Sequence, residues 1–154
     1  MWQRIQTVFL AIVILASVLT IFLPLWEYDA PAGQRHELYA LHYTVTENGA
    51  RTTQYFPYCI TAMLAIASAT IAFISIGKYK SRVLQMKLGA LNSFFIAGTI
   101  LSAVILSNQF IKSFQGGNYG SGLWVPGIAV VCNFLANRFI RRDEKIVRDS
   151  QRLR

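Results

Sequence analysis

Four stretches of the chain hold no Asp, Glu, Lys, Arg or His: Ile5 to Trp26, Phe56 to Ile76, Leu88 to Ile111 and Leu123 to Asn137. An α-helix needs roughly 17–25 residues to cross the hydrocarbon core of a bilayer. The first three stretches have that length, and the fourth reaches it when continued to Ile140. Spanning segments must satisfy their backbone polar groups internally, which favours helices for runs this long. The pattern predicts an all-α membrane protein, a four-transmembrane-helix bundle with spans at about 5–26, 56–76, 88–111 and 123–140, forming one integral membrane domain over 1–154.

The segments between the runs have different chemistries. From 27 to 55, Asp29-Ala30-Pro31-Ala32-Gly33 has turn composition. Leu38, Tyr39, Leu41, Tyr43 and Val45 then lead to Asn48-Gly49, with Thr52, Thr53 and Tyr55 beyond, which predicts a small β-hairpin in the first extracytoplasmic loop. By the period of two, Tyr39, Leu41, Tyr43 and Val45 would share the face resting on the helix ends. The loop 112–122 carries Gly116, Gly117, Gly120 and Gly122 and reads as flexible. The segment 77–87 is a short basic turn.

Charge orients the helices. The formal net charge is +8 with 15 Lys and Arg. Twelve of them (Arg4, Lys78, Lys80, Arg82, Lys87, Arg138, Arg141, Arg142, Lys145, Arg148, Arg152 and Arg154) fall at one set of ends, against Arg35, Arg51 and Lys112 at the other. Basic residues concentrate on the cytoplasmic side, so both termini and the 77–87 turn are predicted to be cytoplasmic. The charge thus reads as topogenic rather than as a nucleic-acid surface. Trp2, Trp26 and Trp124 would mark interfaces, and Pro57 and Pro126 suit first helical turns.

Two groups of residues are candidates for contact. Small side chains at four-residue spacing let helix backbones approach closely. Ala65, Ser68, Ala69 and Ala72 form such a set in the second span, and Gly89, Ser93 and Ala97 in the third, which predicts a tight antiparallel pair. Asn133 and Asn137 share a helix face and can hydrogen-bond across to a neighbour. The tail 141–154 reads as a basic amphipathic helix in which Phe139, Ile146 and Leu153 repeat every seven residues beside Ile140 and Val147. With Arg138, Arg141, Arg142, Lys145, Arg148 and Arg152 it could lie on anionic lipid headgroups or dock on a protein.

Catalytic and cofactor signals are weak. The apolar runs lack the buried ionisable groups on which proton relays and coupled transport are built. His36 and His42 have no third metal ligand beside them and read as surface histidines of the loop. Cys59 and Cys132 are expected at different depths, paired neither with each other nor with a catalytic base. No phosphate-binding glycine loop or nucleophile elbow is present. The expectation is a non-enzyme with no cofactor and no metal.

The ends of the chain carry a resemblance. Met1-Trp2-Gln3-Arg4-Ile5-Gln6-Thr7, and Asn137-Arg138-Phe139-Ile140-Arg141-Arg142-Asp143-Glu144 through Val147-Arg148 to Arg152-Leu153-Arg154, resemble the terminal motifs of a bacterial family of short four-span membrane proteins of unknown function. The resemblance implies a bacterial inner membrane, and so a periplasmic hairpin, and it implies no activity. The plan is also similar to that of claudin-like proteins, but their paired loop cysteines are missing here. The functional expectation is a non-catalytic accessory or assembly subunit of an inner-membrane complex, in contact with a membrane-protein partner and anionic lipid, with homo-oligomerisation left open. The alternative is a passive conduit or small-molecule binder lined by Asn92, Asn133 and Asn137.

Overall fold

A computed structural model describes residues 3–31, 33–79 and 81–152, with the side chains of 3–4 and 149–152 left out. Trp2, Ala32, Lys80, Leu153 and Arg154, and the side chains of Arg4 and Arg152, therefore lie outside the described residues. In chain order the elements are α1 (Gln3–Phe22), β1 (Pro24–Asp29), β2 (Arg35–Tyr39), β3 (Tyr43–Glu47), β4 (Ala50–Gln54), α2 (Cys59–Gly77), α3 (Arg82–Phe114), β5 (Asn118–Tyr119), a 3-10 turn (Ser121–Leu123) and α4 (Val125–Arg152). All four helices are long and apolar enough to cross a membrane.

The helices pack in a ring in which α1 touches α2 and α4, and α3 touches the same two. Each turns inward a stripe at three- and four-residue steps: Gln6, Leu10, Val13, Ser17 and Thr20 on α1; Ala62, Ala65, Ser68, Ala72 and Ser75 on α2; Gln85, Gly89, Asn92, Ile96, Thr99, Ala103, Ser107 and Phe110 on α3. This spacing is that of left-handed bundles. Large apolar residues such as Leu15, Met63, Phe73, Phe94, Leu101 and Phe134 point outward. The interior is rich in hydroxyls and amides, several bonded across helices or to a preceding turn, as in Ser17 to Ser68 Oγ and Thr61 to Ser102 Oγ.

Beyond one end of the bundle lies an antiparallel sheet of five strands in the order β4-β3-β2-β1-β5. The turn Asn48-Gly49 joins β3 and β4, and both of its residues have positive φ, 49° and 82°, the backbone that Asn-Gly accepts readily. The sequence pattern foresees one hairpin here; the additional strands come from segments read differently. Pro24 to Trp26, taken as the end of the first span, is extended as the start of β1: Phe22 ends α1, and Leu25 and Trp26 are buried under the sheet. Trp26 is thus a core residue rather than an interfacial anchor.

Two further expectations are corrected. Tyr39 to Val45 is two strands, because Tyr39 N–H donates to the His42 carbonyl at 2.8 Å and the chain turns between them. The two-residue alternation is broken there, so Tyr39 and Tyr43 do not belong to one continuous face. The helices also begin elsewhere: Pro57 precedes α2, which starts at Cys59, while α3 starts at Arg82 inside the segment read as a loop.

The length of α3 explains how the sheet is held. Its 33 residues extend about 50 Å at 1.5 Å per residue, well over the roughly 30 Å hydrocarbon thickness. The excess at its C-terminus carries Phe110 and Phe114 into the sheet. Trp26 meets Phe110 and Phe114 with ring centroids at 5.2 and 5.6 Å. Tyr43 meets Phe110 at 4.7 Å, and His36 meets Phe114 at 4.7 Å. His36 is buried, and its Nδ1 lies 2.6 Å from the Tyr43 hydroxyl. It is a packed core histidine, not a surface one.

Candidate functional site

The third and fourth helices pack against each other where α3 presents Gly89. A methyl group there would collide with the amide of Asn137 on α4. The missing side chain lets Asn133 reach α3 as well: its Nδ2 donates to the Gly89 carbonyl at 3.0 Å and to Ser93 Oγ at 2.9 Å. Asn92 Nδ2 donates to Asn133 Oδ1 at 3.4 Å. Asn92 and Asn133 are buried, so these bonds form away from bulk water. Gly89 thus faces α4 in the α3–α4 seam, while α2 and α3 also pack antiparallel, bonded at Thr61–Ser102 and at Gln85–Ser75. Ser93 and Ala97 stand on the outer side of α3, while Ala65, Ser68 and Ala72 face inward and Ala69 is half-buried.

Outside this seam the two helices leave a cleft of about 510 Å³, lined by Ala90, Ser93, Phe134, Asn137, Arg138 and Arg141. All except Asn137 are exposed, so the cleft opens on the outer surface of the bundle. Phe134, Arg138 and Arg141 follow one another at four- and three-residue steps and so share one face of α4. Neither arginine forms an ion pair among the described residues.

Beyond the cleft, α4 continues unbroken. Its root is fixed by Ile140, which is buried, by Phe139 stacked on Phe9 of α1 at 5.7 Å, and by Arg82, whose guanidinium donates to the Asp143 carbonyl at 2.7 Å. Past Asp143, Lys145, Ile146, Val147 and Arg148 are exposed. Sequence spacing alone placed Phe139 and Ile146 on one stripe; the structure divides them, since the bundle covers the first and leaves the second bare.

At the opposite end a smaller cleft of about 270 Å³ is lined by Ile21, Phe22, Glu37, Tyr39, His42, Thr44, Arg51 and Thr53. Arg35 pairs with Glu37 at 3.0 Å and Glu27 at 3.2 Å, and the Glu37 carboxylate foremost raises its already high pKa. His42 Nδ1 is buried without a partner, and burial lowers its pKa. Burial likewise raises that of the Tyr43 hydroxyl. Cys59 and Cys132 are both unpaired. No cluster of three metal-ligating side chains occurs among the described residues.

A family described as a domain of unknown function, DUF4293, matches residues 2–153. No curated protein matches the chain.

Proposed function

The chain belongs to the DUF4293 family, and we propose that it is a non-catalytic accessory or assembly subunit of a complex in a bacterial cytoplasmic membrane. In this reading both termini and the α2–α3 turn face the cytoplasm and the sheet faces outward. Four sufficiently long apolar helices and the twelve-to-three division of Lys and Arg support that placement.

One observation carries the functional part. Helix α4 continues past the bundle as one unbroken helix, held at Ile140 and Asp143, and displays Ile146 at 53% exposure with the exposed Lys145 and Arg148 close by in the chain. A preformed helix lowers the ordering cost of docking, and an apolar residue within a basic face suits a groove with an acidic rim. The runner-up, a conduit, is less well supported: Asn92 and Asn133 are engaged with each other and with α3. Toward the sheet end of the bundle the void ringed by Ser17, Thr20, Ser68 and Thr99 measures about 10 Å³, room for roughly one water.

The test is affinity purification from membranes in mild detergent, comparing wild type with Ile146→Asp. The variant should insert normally and lose a protein that co-purifies with wild type. Identical recovery with both chains refutes the tail as a docking helix.

A further inference from the structure

The cleft between α3 and α4 has its own chemistry, distinct from that of the projecting tail. Along one face of α4, Phe134, Arg138 and Arg141 rise about 10 Å at 1.5 Å per residue, passing from the uncharged run to the basic end. Ala90 and Ser93 supply the opposite wall. Toward the middle of the uncharged runs the cleft is lined by Phe134 and Ser93, and toward the tail, past Ala90 and Asn137, it is cationic. Lys87, one turn before Ala90 on α3, adds a third positive charge at the cationic end and forms no ion pair among the described residues.

None of the lining side chains is acidic; of the carboxylates that follow on α4, Asp143 is taken up by Arg82, and Glu144, one turn on from Arg141, forms no ion pair among the described residues. Two unpaired guanidiniums a turn apart, at the edge of an apolar run, need an anion, and the fork of donors on each matches phosphate oxygens. The volume of about 510 Å³ falls within the range of small-molecule sites. The cleft opens toward the outside of the bundle rather than its interior, the side from which acyl chains would approach. Basic pockets between helices at the cytoplasmic level are suited to anionic lipid headgroups.

We propose that this cleft binds one anionic phospholipid, with the phosphate held between Arg138 and Arg141, Asn137 and Ala90 at the level of the glycerol region, and one acyl chain laid on Phe134 beside Ser93. The inference rests on the membrane placement proposed above and is independent of the tail's protein partner. The bound lipid would bridge α3 and α4 beside the Gly89–Asn137 contact and so brace the seam from outside.

The experiment is native mass spectrometry of the full-length protein, delipidated in detergent and then titrated with phosphatidylglycerol or phosphatidylcholine in mixed micelles. Wild type should retain one phosphatidylglycerol per chain and little phosphatidylcholine. Arg138→Gln/Arg141→Gln should weaken retention about tenfold or more, the scale expected for losing two cations beside an anionic headgroup. Lys145→Gln/Arg148→Gln, outside the cleft, should behave like wild type. Ser93→Phe keeps every charge but fills the cleft, and should also lose the lipid. Ala90→Phe, at another exposed position, serves the same purpose should Ser93→Phe not elute as a folded species.

Equal retention of both lipids, equal loss from the two double variants, or full retention by the filled variants would overturn the proposal. Displacement of the lipid by inorganic phosphate alone would overturn it too, since the site would then be one for free anions. Extraction of membranes at alkaline pH separates the two readings. Release of the wild-type chain refutes the membrane placement, whereas an embedded chain that retains no lipid refutes only the cleft.

Discussion

Gly89 and Asn137 occupy one space between them: the amide of Asn137 fills the volume a side chain on Gly89 would take. Close approach of α3 and α4 thus depends on a glycine on one helix and a short amide on the other. Gly89→Ala should lower stability by about 1–3 kcal/mol, the usual range for overpacking. Asn137→Ala combined with it should recover much of the loss, because the colliding amide is gone. Gly98→Ala is the control: its added methyl would meet Leu64 at an ordinary 3.5 Å, and stability should hold or rise. Thermal unfolding in detergent measures these three and Asn137→Ala alone, and independent, additive effects of Gly89→Ala and Asn137→Ala would show that the pair does not share this space.

How this seam escaped the sequence reading has a geometric reason. A ridge at strict four-residue steps, such as Gly89, Ser93 and Ala97, drifts about 40° around an α-helix at every step. The face that packs instead alternates threes and fours through Gly89, Asn92, Ile96 and Thr99, so Ala97 leaves the interface and Ser93 stays only at its rim, where its hydroxyl accepts from Asn133. The helices themselves were legible because uncharged runs of that length have few alternatives. Pro24 to Trp26 was not, since an apolar strand under a sheet and the end of a spanning helix have the same composition. Asn133 was legible as a cross-helix donor from its place in an apolar run; the cleft beside it was not, because only the relative placement of α3 and α4 creates it.

The outer glycines were read as flexible, and the structure gives them the opposite role. A side chain on Gly120 would strike the Pro24 carbonyl, and its N–H donates to the Leu25 carbonyl at 2.9 Å. The obstacle is backbone, which cannot rotate aside. Gly120→Ala should therefore separate the 112–122 loop from β1 and lower the midpoint of thermal unfolding. Gly127→Ala, with open space at its Cβ, should be neutral or mildly stabilising. Amide hydrogen exchange would locate the effect, with β1 and β5 losing protection in Gly120→Ala and retaining it in Gly127→Ala.

His42 should make the outer sheet sensitive to acid. Its ring stacks on Tyr39 with centroids 5.0 Å apart, and burial lowers its pKa below the ordinary histidine value. The folded chain therefore binds this proton less readily than the unfolded chain. The stability contributed by neutral His42 is fully present above about pH 6.5, the unfolded value, and is lost as the pH falls below it, until the folded state is protonated as well. His42→Gln should flatten that part of the curve. An unchanged difference in unfolding midpoint between pH 7.5 and pH 5 in the variant would assign the sensitivity elsewhere.

The proposed orientation places Asn48, in the β3–β4 turn, and Tyr79, in the α2–α3 turn, on opposite sides of the membrane. Both are exposed in the folded chain, so a reagent that reaches the correct side should react with either. Single cysteines at the two positions, in a Cys59→Ser/Cys132→Ser background, separate the sides with a membrane-impermeant thiol reagent. Asn48→Cys should label in intact spheroplasts, and Tyr79→Cys only after lysis. The physical basis is the cluster at Lys78, Arg82 and Lys87 together with Arg138, Arg141 and Arg142, since cations close to span ends resist translocation. Removing one pair, as in Arg138→Gln/Arg141→Gln, leaves enough of them to hold the orientation, so labelling should not change in that variant. Labelling of Tyr79→Cys in sealed spheroplasts would invert the assignment and place the basic cleft and the tail on the outside.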